Sequence, residues 1–379
     1  MGEPRRILFL NHVAQVSGAE NSLLALLGAL DRAEFEPVLA CPADGELPRR
    51  ARALDVEVHP IPMRRLYRTS NPLRLLGYGC HILCVAAMIE RLAKARRIGL
   101  IHANSTTACL YGAPAARLAG LPSVWHVRDL TPLGAIRRVL HRSTHRIIAI
   151  SAAVARCVSP AGENDPRIAV VHNGIDADNF RKDVKPGRVR HELGLGGDRK
   201  IAAMVGQIAP WKGHETFVRA VAKLPDVVGL IVGDDLFGDH PDLLRRLHDL
   251  CGIIGIEDRV RFLGWRSDVK DIIADSDVIA VPSKAEPLGR VALEAMALGK
   301  SVVGTRAGGL PEVVADSETG RLVPPGDADA LAEALREVLS DADRAAAMGR
   351  AGLARVREHF DLATCARKVE DIYREIPDR

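Results

Sequence analysis

The chain has 379 residues, enough for two domains with separate cores, and its 47% hydrophobic and 26% charged residues exclude a largely disordered or fibrous protein. Seven cysteines, an odd number with no CxxC pair and no zinc-like spacing, point to reduced thiols and a cytoplasmic setting. The net charge of +4 hides an asymmetry, because residues 1–185 carry 25 Lys+Arg against 16 Asp+Glu while the rest of the chain is net acidic.

Arg5 and Arg6 precede the apolar ILFL, but this run leads into Asn11 and His12 and not into a small-residue cleavage site, so no export signal is expected. From there, short apolar and β-branched runs alternate with helical patterns: RILFLNHV, NSLLALLGAL, FEPVLAC, LPRRARAL, LIHANS, LYGAPAARLAG, SVWHVRD, RIIAIS and AAVARCV. Strands that read as continuous apolar runs, each followed by a helix, predict a parallel sheet covered on both faces. Within this half, residues 63–146 hold 14 basic side chains and only two acids, Glu90 and Asp129. Arg64, Arg65, Arg68 and Arg74 precede the apolar run Leu75 to Ile89, and Arg91, Lys94, Arg96 and Arg97 follow it. That bias suits an anionic lipid surface or an anionic substrate, with solvated helix faces as the plain alternative. The run is shorter than the ~18 residues of a membrane span, so none is expected.

After VVHNGIDADNF, a polar stretch near residues 178–188 reads as a linker, and the alternation restarts with KIAAMVGQI, ETFVRAVAKL, VVGLIVGDD, LLRRLHDLCGI, RVRFLGW, VIAVPS, VALEAMALG and KSVVGT. The expected architecture is α/β, with two doubly wound Rossmann-like domains facing across a cleft: residues 1–180, residues 181–358, and a C-terminal helix, 359–379, packing back toward the first domain.

Several familiar motifs fail. GxGxxG is missing after the first strand, where only Gly18 precedes a helix. Gly299, Lys300 and Ser301 imitate the end of a P-loop but precede a strand, and His141 and His145 lack the glutamate of a zincin. Asp275 and Asp277 spell a metal-holding DxD, but a structural role at a cap or strand edge is the better expectation. Three features remain. GQIAPWKGH, Gly206 to His214, puts a glycine turn and Lys212 at a helix start suited to a diphosphate. EPLGRVALE places Glu286 on a loop and Glu294 on the next helix, and AGGLPE offers a glycine pair where backbone can approach a ligand.

In this order the segments resemble the retaining glycosyltransferases of the GT-B fold, specifically glycosyltransferase family 4. SGAE, IHANS, WHVRD, HNGID, GQIAPWKGH, VGDD, VRFLGW and TGRLVPPGD take part, and the stretch from Val281 to Val314 is the most specific, carrying the family's E-x7-E. The resemblance implies a nucleoside-diphosphate sugar donor and an acceptor glycan, lipid or aglycone, with no nucleic acid, no metal and no cofactor, while the cysteine usage and the basic patch lead to the expectation of a protein that is cytoplasmic or peripheral on an anionic membrane surface. It assigns Glu286 to the donor sugar, Glu294 to the ribose hydroxyls, and Lys212 with the amides after Gly206 and those of Leu288 and Gly289 to the diphosphate. His126 matches the family histidine facing the sugar, and Gly18 lies on the loop toward diphosphate and acceptor. Two departures are visible: Gln207 stands where the family usually has an arginine, and Leu288 where it has an aromatic. A nucleotide-sugar 2-epimerase of the same fold and a catalytically weak nucleotide-sugar-binding or membrane-docking protein are the rival readings.

Overall fold

The computed structural model describes residues 3–67, 69–130 and 134–377. These form two compact units: the first comprises the chain up to Gly174 together with the segment from Leu362 onward, and the second runs from Ile175 to Asp361.

In the first unit, strands β1 (Arg5–Leu10), β2 (Phe35–Cys41), β3 (Glu57–Pro60), β4 (Leu100–Ala103), β5 (Ser123–Val127), β6 (Arg146–Ala149) and β7 (Ile168–Val170) form one sheet in the order β3-β2-β1-β4-β5-β6-β7. Every pairing is parallel, with registers such as Phe9 against Leu39 and against His102. The central strands are apolar on both faces, and Phe9, Leu23, Leu27 and Leu39 lose all contact with solvent. Burying each such side chain contributes about 1.5–3 kcal/mol. Ile372 and Tyr373, from the helix Leu362–Arg374, enter the same core, which is why the carboxyl-terminal segment belongs to this unit.

The second unit repeats the plan. β8 (Lys200–Val205), β9 (Val227–Val232), β10 (Val260–Gly264), β11 (Val278–Val281), β12 (Val302–Thr305) and β13 (Gly320–Val323) pair in the order β10-β9-β8-β11-β12-β13, again all parallel. Each sheet reverses its winding once, between β1 and β4 and between β8 and β11. Open α/β sheets bind ligands beyond the strand ends at such a reversal.

Two features differ from the reading of the sequence. The polar stretch 178–188 is not a loose linker, because acidic side chains of the second unit hold it. The Lys185 amide donates to Asp271 at 3.0 Å and the Gly187 amide to Asp275 at 2.5 Å, so the chain leaves the first unit at Gly174, before the expected boundary at 180. The apolar run Leu75 to Ile89 is part of a longer helix, Pro72–Ala95, whose length and composition are sufficient to cross a membrane. Only Val85, Ala86, Ile89 and Ala93 of this helix are buried, so the plain reading as a core helix holds for its second half alone. Of the basic residues around it, Arg68 lies outside the described residues.

Candidate functional site

The loops after β8 and β11 bring the second unit's expected residues together. Gly206 follows β8 directly with φ of 151°, Lys212 ends the short turn Pro210–Lys212, and Gly213 opens the helix His214–Ala222. Gly213 has φ of 82°, and a Cβ there would stand 2.0 Å from the Pro282 carbonyl oxygen, so only glycine lets this loop pass the one after β11. The Lys284 amide donates to the Trp211 carbonyl at 2.7 Å and ties the two loops together. As a result Lys212 Nζ lies 2.8 Å from Glu286 Oε2, although 74 residues separate them in the chain.

Glu286 is held from three sides. Ser283 Oγ donates to the same carboxylate oxygen at 3.0 Å, and the Thr305 hydroxyl in turn donates to the Ser283 carbonyl at 2.5 Å. The Gly309 amide donates to the Glu286 carbonyl at 2.8 Å, and a Cβ on Gly308 would meet that carbonyl oxygen at 2.0 Å. The glycine pair of AGGLPE therefore admits the backbone of Glu286, where a ligand was expected. Glu286 itself is 6% exposed, a carboxylate kept from water and given one cation and one hydroxyl.

Gln207 is half-buried beside Gly206. The Leu288 side chain is buried in the core, and Gly289, with φ of 106°, caps the helix Arg290–Ala297. With its side chain packed away, Leu288 offers this loop only its backbone. One turn into that helix, Glu294 accepts from Arg290 Nε at 2.9 Å, and burial raises its carboxyl above the ordinary value while Arg290 pulls the other way. Arg290 and Ser283 were not singled out in the sequence; the i, i+4 spacing of Arg290 and Glu294 was legible, whereas nothing local marks Ser283. The helices His214–Ala222 and Arg290–Ala297 both begin at this sheet edge, so their positive ends and Lys212 converge on one place suited to a diphosphate.

Asp275 and Asp277 point elsewhere. Asp275 accepts from the Gly187, Val189 and Arg190 amides, and Asp277 accepts from Arg190 and the Ile201 amide, which occupies both carboxylates structurally. Among the described residues no group of three or more His, Cys, Asp and Glu side chains is placed to hold a metal ion.

The first unit carries its own polar cluster at the matching reversal. Gly18 starts the helix Gly18–Ala29, and Glu20 two residues on accepts from Ser17 and from Asn11 Nδ2 at 3.2 Å. Asn11 Oδ1 accepts from Asn104 at 2.9 Å, Asn104 Oδ1 accepts from Arg128 Nε at 2.7 Å, and Arg128 Nη2 reaches His126 Nδ1 at 3.3 Å. His102 Nε2 stands 3.2 Å from the same His126 nitrogen, and Tyr373 Oη 2.7 Å from His102 Nδ1. A guanidinium has no acceptor, so His126 Nδ1 accepts; His102 Nε2 then donates, and its Nδ1 takes the tyrosine proton. His126 is left with its proton on Nε2, a buried atom without a hydrogen-bond partner among the described residues. Burial and the charge of Arg128 hold both histidines well below the ordinary value, so His126 offers a neutral N–H donor and not a base.

Three buried histidines, His102, His126 and His214, and the half-buried His12 make the fold acid-sensitive. Burial pushes His12 and His214 down to about 4, and His102 and His126 are lowered as well. All four are neutral in the fold and take up a proton on unfolding near pH 6.5, so the stability they supply is complete above that pH and is lost as pH falls through the folded-state values. For His12 and His214 the linkage is on the order of 3 kcal/mol apiece. The Tm is expected to be level above pH 7 and to fall steadily below 6.5, and a scan that stays flat down to pH 4.5 contradicts this.

Comparison with known proteins agrees with this geometry. The family described as Glycosyltransferase Family 4 matches residues 16–179, and the one described as Glycosyl transferases group 1 matches residues 188–355. The chain is 30% identical over 368 residues to the alpha-maltose-1-phosphate synthase of Mycolicibacterium smegmatis, spanning 87% of this chain and 94% of that protein. It is 38% identical over 205 residues to the D-inositol 3-phosphate glycosyltransferase of Mycobacteroides abscessus, spanning 54% of this chain and 46% of that protein. The chain thus spans about half the length of the latter and of its counterpart in Mycolicibacterium smegmatis. Anabaena HepE, solved in complex with UDP-glucose, superposes with a TM-score of 0.84 at 28% identity, covering 98% of this chain and 100% of that one. With two family matches covering the two units in turn and a relative aligned over nearly its whole length, the chain belongs to glycosyltransferase family 4 and has the GT-B fold.

Proposed function

We propose that the protein transfers a hexosyl unit, with retention, from a nucleoside-diphosphate sugar to an acceptor hydroxyl of a glycan, a lipid or an aglycone. The observation that carries this reading is the 2.8 Å pair of Lys212 and Glu286 at the β8–β11 reversal, where two helix amino termini converge. Breaking the sugar–phosphate bond builds negative charge on the leaving diphosphate and positive charge at the anomeric carbon. Lys212 and the amides after Gly206 and at Leu288 and Gly289 meet the former; the Glu286 carboxylate steadies the latter. Glu294 holds the ribose hydroxyls, and His126 donates its Nε2 proton to a sugar hydroxyl. The departing phosphate takes the acceptor's proton on the face it leaves, which requires no nucleophilic side chain.

UDP-glucose is the first donor to test, because HepE was solved with it and is the structurally similar protein named above. A rise in Tm with UDP-glucose, and release of UDP on adding acceptor, support the reading; no shift with UDP-glucose, UDP-N-acetylglucosamine or GDP-mannose removes it. The Glu294→Ala variant is expected to raise the donor KM roughly tenfold or more with little change in kcat, since ribose hydrogen bonds form in ground and transition states alike. An unchanged KM contradicts that role. The reading needs no metal, so transfer is expected to survive EDTA, and loss of transfer restored by Mg²⁺ contradicts it. The same reading places the protein in the cytoplasm, with the basic surface of the first unit resting on an anionic membrane.

A further inference from the structure

The first half of helix Pro72–Ala95 is largely exposed, with only Tyr78, His81 and Ile82 half-buried. Leu73, Leu75, Leu76 and Leu83 are 77%, 52%, 66% and 62% exposed, and Leu73, Leu75 and Leu76 point in three different directions around the axis. Its position is set by the helix Thr106–Ala119, which begins just beyond β4, since the His81 and Tyr111 rings meet edge to face at 5.8 Å. The two helices run in the same direction, and five residues back from this contact Leu76 stands level with the start of the second helix. The exposed leucines therefore sit at the edge of the sheet where Asn11, His12 and Ser105 emerge from β1 and β4.

Charge surrounds the apolar end. Arg64 and Arg74 are exposed and pair with no carboxylate among the described residues. The helix Ala135–Ser143, packed on the other side of Thr106–Ala119, adds exposed Ile136 and Val139 with exposed Arg138 and Arg142. Apolar side chains ringed by arginine match a bilayer surface that is apolar within and anionic at its headgroups. Crossing the bilayer is excluded by geometry: Val85, Ala86, Ile89 and Ala93 are buried in the unit, which leaves the 13 residues 72–84, about 20 Å of helix, against a hydrocarbon core of about 30 Å.

We propose that residues 72–84 lie in the headgroup layer of an anionic membrane and that this docking sets the Asn11–His12–Ser105 edge of the first unit against the lipid. The inference rests on the transferase reading for its purpose but is tested apart from it. Vesicles of phosphatidylglycerol and phosphatidylcholine are compared with phosphatidylcholine alone in sedimentation at low and high salt, using the full chain, the triple variant Leu73→Ser, Leu75→Ser, Leu76→Ser, and the double variant Arg64→Glu, Arg74→Glu. The full chain is expected to bind the anionic vesicles at least tenfold more tightly, less so in high salt, and each variant to lose at least tenfold while keeping its Tm shift with UDP-glucose. Equal binding to both vesicles, binding to neither, or variants that bind as well as the parent overturn the docking. Self-association of the full chain that the leucine variant abolishes also overturns it, in favour of a second copy on this face. A full chain that docks but shows no response to any nucleotide sugar overturns the transferase reading alone.

Discussion

Replacing Glu286 by Gln is expected to lower kcat by roughly 10²–10³-fold while leaving the dissociation constant for UDP-glucose within a few-fold of the parent. The substitution keeps the shape of the side chain and its ability to accept from Ser283 Oγ, 3.0 Å away, and removes only the negative charge. That charge matters little to a neutral bound sugar. It matters when the anomeric carbon becomes cationic, in a site where Glu286 is 6% exposed and water screens poorly. Calorimetric titration with UDP-glucose alongside turnover separates the two effects. Parental kcat, or binding lost in parallel with kcat, contradicts the assignment.

Replacing Lys212 by Met is the second large effect. On the proposed reading it removes the cation that meets the leaving diphosphate and is expected to reduce kcat/KM by roughly 10²–10³-fold, with UDP binding weakened as well. It also leaves Glu286 a nearly buried carboxylate supported by Ser283 alone, so Tm falls in the free protein. Adding Glu286→Gln to Lys212→Met is then expected to restore part of the lost Tm, because the unpaired charge is gone. In turnover, the double variant should lose less than the two single losses combined, as residues in direct contact do. Strict additivity in both readouts contradicts a functional pair. On the proposed reading Gln207 brings no charge to the diphosphate, so the loss on removing Lys212 is expected at the upper end of that range.

Much of this protein is decided locally. The strands β1, β4, β6, β8, β9, β11 and β12 are largely apolar runs, because a strand covered by helices on both faces has little room for polar residues, whereas the edge strand β10 is legible from VRFLG despite its exposed Arg261. Alternation with helical stretches then leaves a doubly wound α/β fold as the natural outcome. The strands that escape such reading are β3, β7 and β13, at sheet edges, with EVHP, IAV and GRLV as their sequences. An edge strand is short and half-covered, so its composition carries little signal. GQIAPWKGH and E-x7-E likewise single out, from local sequence alone, the segments after β8 and β11 that the fold brings together at Lys212 and Glu286.

Tertiary structure decided the rest, because it depends on residues far apart in the chain. Lys212 and Glu286 meet only since Gly213 lets one loop slip under Pro282, and the glycine pair after β12 turned out to seat the Glu286 backbone. For Asp275 and Asp277 the sequence favours a structural role over metal binding, but only the tertiary structure names the groups they hold, the amides of Gly187, Val189 and Ile201. The tautomer of His126 is set by Arg128, His102 and Tyr373, the last 247 positions away and brought in by a carboxyl-terminal helix whose own sequence shows no chemistry. Whether the leucines of helix Pro72–Ala95 face a core or the outside is equally invisible in their order. Hydrophobicity states what a side chain avoids, and only the packing around it determines whether the fold supplies the shelter.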